Sequence, residues 1–374
     1  MRDAVGENLA QREELGAAVA VIVDGRPVVD LWCGWADEAR TRPWRERTLV
    51  NTFSVGKAFT GLCALMLVSR GELSLDEQVS QRWPQFALAG KEAITVRELL
   101  SHRAGLAAID SELPEGALYD WELMTAALAE QAPWWTPGSA HGYHVHTFGY
   151  LVGELVRRVA GEPIGAFLRR EIANPLGVEL SFGLERAKRA RRAEYVFDLS
   201  MRSRIAHAAG VPAGGRLRER AYLNPPGAMG LGTVNTPAWQ DAQLPSANLH
   251  ADARGIARAY QALLDASHPL LDGELLREAR TQASAGEDLV LGRPSRFGLG
   301  FQLTQPERPL GPNADSFGHF GAGGSVGFAD PQAGVAFAYV MNRGGGQWQD
   351  PRNRALIEAT YEALGCAGEP APTG

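Results

Sequence analysis

The chain has 374 residues, 45% of them hydrophobic and 21% charged, with a formal net charge of −6. That length is ample for a sizeable core, as one large domain or two lobes, and the composition excludes disorder. The mild acidity argues against nucleic acid or an anionic membrane surface as a partner, and no apolar run is long enough to span a bilayer.

The opening MRDAVGENLAQREELG reads as a short amphipathic helix over residues 1–14. It lacks the apolar core of a secretory signal, so a cytoplasmic enzyme is expected. Ala17 to Val23 and Val28 to Trp35 are β-rich runs split by Asp24-Gly25, which predicts a hairpin. Ala58 to Ser69 is strongly apolar and predicts a buried helix that starts near Ser54 and stops at Arg70-Gly71. The next two hundred residues are helical and loop-rich. Val96 to Leu100, Met124 to Glu130, Phe148 to Ala160, Ile164 to Ile172 and Ala253 to Ala266 are the helices expected there. The Gly/Pro-rich stretch from about 200 to 250 reads mostly as loop.

Strand character returns late, in Phe297 to Leu303, Ser316 to Phe320, Ser325 to Ala329 and Val335 to Asn342. Arg352 to Leu364 closes as a helix. Strands at both ends with helices between predict an α+β fold, with one sheet built from the two termini. Residues 1–71 and 285–374 would form this discontinuous sheet domain, and 72–284 an inserted, mainly helical lobe. The basic stretch Arg186 to Arg192, continued by Arg202, Arg204, Arg216, Arg218 and Arg220, has no interleaved aromatics and reads as a solvated face and its loop. Cys33, Cys63 and Cys366 are odd in number and far apart, so no disulfide framework is expected, and Cys63 reads as core packing.

The strongest chemical feature is Ser54-Val55-Gly56-Lys57 at the head of the apolar helix. Positions i and i+3 share a helix face, so the Ser54 and Lys57 side chains can meet. A serine hydroxyl needs an adjacent base to become a nucleophile. A lysine buried above an apolar helix has a lowered pKa and suits that role. The helix N-terminus adds partial positive charge where an oxyanion would develop. Late in the chain, Gly321, Gly323 and Gly324 would let a strand backbone approach a ligand closely. The Ala322 N–H would then pair with that of Ser54 as an oxyanion hole.

Further segments carry a family resemblance. Ile94-Thr95-Val96-Arg97-Glu98-Leu99-Leu100-Ser101-His102-Arg103-Ala104-Gly105-Leu106 resembles a characteristic run of the class C β-lactamase superfamily. Pro137-Gly138, Gly142-Tyr143-His144 and Gly149 to Leu155 resemble the segment that carries its catalytic tyrosine. Gly318-His319-Phe320-Gly321-Ala322-Gly323-Gly324-Ser325 stands where its Lys-Thr-Gly strand would be. These matches run from about residue 15 to 345, and family VIII carboxylesterases are the nearest in kind.

The resemblance implies a β-lactamase/transpeptidase-like fold with Ser54, Lys57 and Tyr143 as catalytic residues. Tyr143 would be a second base, its phenol lowered from about 10 by Lys57. His319, Gly321, Gly323, Gly324 and Trp135 would bind substrate. No cofactor or metal is implied. Two departures bear on specificity. His319-Phe320-Gly321 replaces Lys-Thr-Gly, and Val145 replaces the asparagine of Tyr-x-Asn. Both weaken recognition of a β-lactam and leave the acyl-transfer core intact, so a carboxylesterase with weak or no β-lactamase activity is expected. An acyltransferase of secondary metabolism, passing the acyl group to an alcohol or amine, is the alternative. Trp134, Trp135, Tyr119, Trp121 and Trp239 are candidate acceptor platforms. An inactive binding protein of the same fold is a further alternative.

Two rival sites are weaker. Gly323-Gly324-Ser325-Val326-Gly327 fits a Gly-x-Ser-x-Gly elbow. That fold needs a histidine later in the chain, and the last one is His319. His141, His144 and His146 with Glu154 could suggest zinc, but the three do not share a helix face. They read as histidines on the surface or behind the catalytic groups, with His144 helping to position Tyr143.

Overall fold

The computed structural model describes residues 1–203, 215–267 and 270–365; Arg204 and Cys366 lie outside them. Its centre is an eight-stranded sheet. In chain order the strands are β1 (Gly16–Val23), β2 (Arg26–Gly34), β3 (Ser284–Glu287), β4 (Pro294–Phe297), β5 (Gln302–Leu303), β6 (Phe317–Phe320), β7 (Val326–Asp330) and β8 (Val335–Met341). The spatial order is β2-β1-β8-β7-β6-β5-β4-β3, with every pair antiparallel. The chain's first strand thus pairs with its last, Val21 facing Phe337. β1 and β8 are almost wholly buried, which fits their unbroken apolar runs, whereas edge strand β2 is largely exposed. Asp24 and Gly25 both have positive φ (47° and 76°), the two-residue hairpin turn that Asp-Gly favours.

Five helices matter for the site: α1 (Arg2–Gln11), α2 (Val55–Ser69), α3 (Trp121–Glu130), α4 (Thr147–Ala160) and α5 (Ala253–Leu264), with α6 (Pro351–Ala363) closing the chain. Helix α2 is apolar all round and buries every residue from Val55 to Leu67, as a helix sandwiched on both sides must. It packs between the sheet and α4. A side chain at Gly61 would stand 2.6 Å from the Gly300 backbone, so this pair of glycines lets α2 reach the β4–β5 turn.

Three expectations change. Phe297 to Leu303 is not one strand: β4 and β5 flank a turn at Gly298–Phe301, where Gly300 has φ 78°. The stretch from 200 to 250 contains helices at Gly215–Leu223 and Pro237–Asp241. The helix expected over Ile164 to Ile172 switches to a wider π turn at Arg169–Ala173. The basic stretch forms a short 3-10 helix, Arg186–Arg191, whose Lys188 and Arg191 pair with Glu179 and whose Arg189 pairs with Asp241. Cys63 is fully buried. Among the described residues, no helix is long and apolar enough to cross a membrane.

Candidate active site

Ser54 sits at the N-cap of α2, immediately after a sharp turn. Phe53, the residue before it, holds φ 50°, an unusual value for a bulky side chain. Ring contacts with Tyr195 (4.9 Å between centroids), Trp239 (6.2 Å) and Phe197 (6.3 Å) fix that turn. One helical turn on, Lys57 is 1% exposed, and its Nζ lies 3.2 Å from Ser54 Oγ. The amine also donates to the Ser246 carbonyl at 3.1 Å. Burial pushes its pKa well below the usual lysine value, because no carboxylate compensates for lost water. Burial thus biases the amine toward its uncharged form beside the serine hydroxyl.

Tyr143 completes the cluster. Its hydroxyl interacts with the Ser54 side chain, and Lys57 Nζ stands 4.7 Å from its ring centroid. The ring stacks on Phe297 at 5.8 Å and 5°. Its backbone N–H donates to both oxygens of fully buried Asp288, at 3.0 and 3.1 Å. The lowered phenol expected from the sequence is overturned: burial pushes Tyr143 above its ordinary value. Tyr143 is thus a neutral phenol at rest.

Opposite Ser54, strand β6 runs into the Gly321–Gly324 turn. The carbonyls of Ala322, Gly323 and Gly324 are tied back into the protein. Tyr195 Oη donates to Ala322 O (3.1 Å), Arg352 Nη2 to Gly323 O (2.9 Å) and Asn353 Nδ2 to Gly324 O (2.8 Å). Gly323 and Gly324 have φ 86° and 130°, values only glycine adopts freely. Neither the Ser54 nor the Ala322 N–H has an acceptor among the described residues.

His319 is 3% exposed, and its Nδ1 donates to the Phe320 carbonyl at 2.6 Å. A carbonyl only accepts, so Nδ1 carries the proton and Nε2 is left as an acceptor, with no partner among the described residues. Burial pushes its pKa down to about 3, so the ring is neutral.

These groups meet in one cavity of about 580 Å³, lined by Ser54, Tyr143, His319, Gly321, Ala322, Gly323 and Gly324. Trp135 does not join them. It packs edge-on against His144 at 6.0 Å, and its indole N–H caps Ala140 O. Trp134, Trp121 and Trp239 likewise spend their N–H groups on Ala108 O, Glu154 and Asn51, away from the cavity. The aromatic lining comes instead from Phe53, Tyr222, Phe297, Phe320 and Trp348.

The three histidines do not converge. His144 Nε2 accepts from the Leu106 N–H and its Nδ1 donates to Gly142 O, while His141 bonds Ser295. His146 lines the cavity. Among the described residues no cluster of metal-ligating side chains forms. Ser246 and Asp288 were missed in the sequence, because each sits in a loop with no motif around it.

Comparison with known proteins now bears on this geometry. The sequence matches the Beta-lactamase family over residues 1–362. The chain belongs to the beta-lactamase family. It is similar to the esterase/beta-lactamase LipL of Mycobacterium tuberculosis, 35% identical over 343 residues, which cover 88% of this chain and 77% of LipL. It is also similar to a family VIII carboxylesterase of known crystal structure (35% identity, TM-score 0.89, 97% and 96% of the two chains). A penicillin-binding protein homologue from Caulobacter crescentus is comparably similar (37% identity, TM-score 0.87, 97% and 96%). With such relatives the chain is an enzyme of the serine hydrolase class.

Proposed function

We propose that this protein hydrolyses carboxylic esters through an acyl-enzyme on Ser54. The observation that carries the reading is the 3.2 Å contact between Ser54 Oγ, which lines the cavity, and the buried Lys57 amine beneath it, whose pKa burial pushes well down. Lys57 takes the hydroxyl proton as Oγ attacks the ester carbonyl. The Ser54 and Ala322 N–H groups hold the oxyanion, which the inward-tied carbonyls of the 322–324 turn leave facing the substrate. Tyr143, a neutral phenol in contact with Ser54, passes a proton to the leaving alkoxide and is reprotonated from Lys57. Water then attacks the acyl group, and the same relay runs in reverse to free Ser54.

Ester rather than β-lactam cleavage is supported by His319. A penicillin or cephalosporin carries a carboxylate on the carbon next to its scissile nitrogen. In place of the lysine of Lys-Thr-Gly, His319 presents a neutral acceptor, not a cation. The similar family VIII carboxylesterase supports the same reading, whereas the name of LipL covers both activities.

The test is mass spectrometry with a short-chain nitrophenyl ester, alongside kinetics. The wild type gains the acyl mass on the peptide that carries Ser54. Ser54→Ala loses the adduct and about four orders of magnitude in kcat/KM. A Ser54→Ala protein that keeps most of its activity overturns the assignment. Cephalosporin hydrolysis as fast as ester hydrolysis overturns the substrate class.

A further inference from the structure

Tyr143 sits on chain that no helix or strand holds. Residues 140–144 carry no regular element and lead from the turn at 137–139 toward α4. Their position therefore depends on what other segments do with the successive N–H groups of Gly142, Tyr143 and His144. Gly142 N donates to the His102 carbonyl at 3.2 Å, and His144 N to His102 Nδ1 at 3.2 Å. The N–H of Tyr143 itself goes to Asp288, at 3.0 and 3.1 Å to its two oxygens.

Asp288 opens the connection between β3 and β4 and is fully buried. Besides Tyr143 it accepts from the Val290 and Leu291 N–H groups, both at 2.9 Å, and from Ser295 Oγ at 2.8 Å. A hydroxyl has one proton. Ser295 gives its proton to Asp288, so its oxygen accepts from His141 Nε2 at 2.9 Å. The same hairpin grips the Tyr143 segment in three more places. Leu289 N donates to His141 O at 3.2 Å. Val290, also fully buried, packs with Val145 and Tyr143 in a small apolar cluster. Phe297, on β4, stacks on the Tyr143 ring. One hairpin thus holds the backbone of Tyr143 by a carboxylate and its ring by an aromatic face. Hydrogen bonds to a charged acceptor are roughly twice as strong as neutral ones. Asp288 does not line the cavity, so whatever it contributes to the reaction passes through the groups it holds.

We propose that Asp288 is a positioning residue for acyl transfer: its carboxylate holds the main chain at Tyr143 so that the phenol meets Ser54, and Ser295 and His141 fix the carboxylate in turn. The inference rests on the ester-hydrolase reading above and on the part it gives Tyr143. The negative charge of Asp288 also bears on the phenol, in the direction that keeps it protonated. A contribution that passes through the Tyr143 hydroxyl is separable from one to stability, because it vanishes when that hydroxyl is absent.

The test is a double-mutant cycle on the whole protein with a short-chain nitrophenyl ester. Each kcat is divided by the number of Ser54 sites titrated to completion with a fluorophosphonate, so that unfolded molecules do not count. Asp288→Asn keeps the size of the side chain and one accepting oxygen. It is expected to lower kcat about tenfold with little change in KM, since misplacing a reacting group by an ångström costs up to about a hundredfold. In a Tyr143→Phe background the same substitution should cost less than about twofold. If Asp288→Asn does not fold, Ser295→Ala takes its place in the cycle. That change leaves the carboxylate and withdraws one donor, and it should cost about threefold with the Tyr143 hydroxyl and nothing measurable without it. Equal losses with and without the hydroxyl make the effect merely structural and overturn the inference. So does wild-type kcat in the variant tested. Either result leaves the ester-hydrolase reading standing. If Tyr143→Phe alone costs nothing, the part given to Tyr143 falls and this inference with it. If Ser54→Ala keeps the activity, the whole reading falls.

Discussion

Two lysines lie in the interior of this protein, Lys57 below the cavity at 1% exposure and Lys91 behind α3 at 0%. Their surroundings differ in kind. Lys91 Nζ donates to three carbonyls, Leu88 O (2.7 Å), Ala129 O (2.8 Å) and Gln131 O (2.7 Å). An ammonium has three donors, so every one is used. Burial pulls Lys91 down to about 8, and it stays protonated at neutral pH. It ties the end of α3 to the Pro84–Gly90 turn. Lys57 has one carbonyl, Ser246 O, and the Ser54 hydroxyl. With fewer acceptors to hold a charge, its pKa is pushed well below the usual lysine value. Carbonyls that saturate Lys91 hold its charge, and their scarcity around Lys57 favours the free amine that the proposed base requires.

The sharpest way to break this contrast is Lys57→Met. Loss of the base should lower kcat/KM by about a thousandfold, within the range for general acid–base catalysis. The same change should raise stability. The folded-state pKa lies below the unfolded value, so between the two values the unfolded chain binds a proton that the folded chain does not. Stability from this group therefore falls as pH drops from the unfolded value through the folded one. Replacing the lysine removes that cost, so Tm should rise at pH 7 and the gain should fade above pH ~10. A fall in Tm at pH 7 would count against a neutral Lys57.

Lys91→Met should do the opposite. It strands three carbonyls, at a cost of roughly 2–4 kcal/mol in a urea titration, with activity per folded molecule retained. Tyr143→Phe keeps the stack on Phe297 and deletes only the relay hydroxyl. It should cost about a hundredfold in kcat on esters with an unchanged melting curve. The smallest effect concerns pH. Lys57 must be neutral to act, so kcat/KM should fall on the acid side as pH drops through its lowered value. His319, already neutral down to about 3, contributes nothing to that limb. His319→Asn should change the rate and leave the midpoint of the limb in place; a moved midpoint would assign the limb to the histidine.

Some of this was legible in the sequence because it depends on neighbours in the chain. The Ser54–Lys57 pair follows from the i, i+3 geometry of one helix, and the Asp24-Gly25 hairpin from backbone preference at two residues. The apolar runs at both ends announced a sheet drawn from both termini. Trp135 was misplaced because an aromatic near a motif looks like a lining residue. Its indole instead caps Ala140 O, and the lining ring on that scale is Trp348, two hundred residues away in sequence.

What only the tertiary structure decided is the charge state of the site. The sequence alone supplied the residue types and their local spacing: a serine, a lysine one turn on, a tyrosine, and a histidine before a glycine turn. Whether the lysine is a base, the phenol neutral and the imidazole an acceptor depends on how much water and how many partners distant segments leave each group. Ser246, Asp288 and the α6 residues Arg352 and Asn353 come from loops and a helix far from Ser54 in the chain, and no local pattern announces them. Burial and electrostatics are sums over everything packed nearby, so they exist only once the chain has folded.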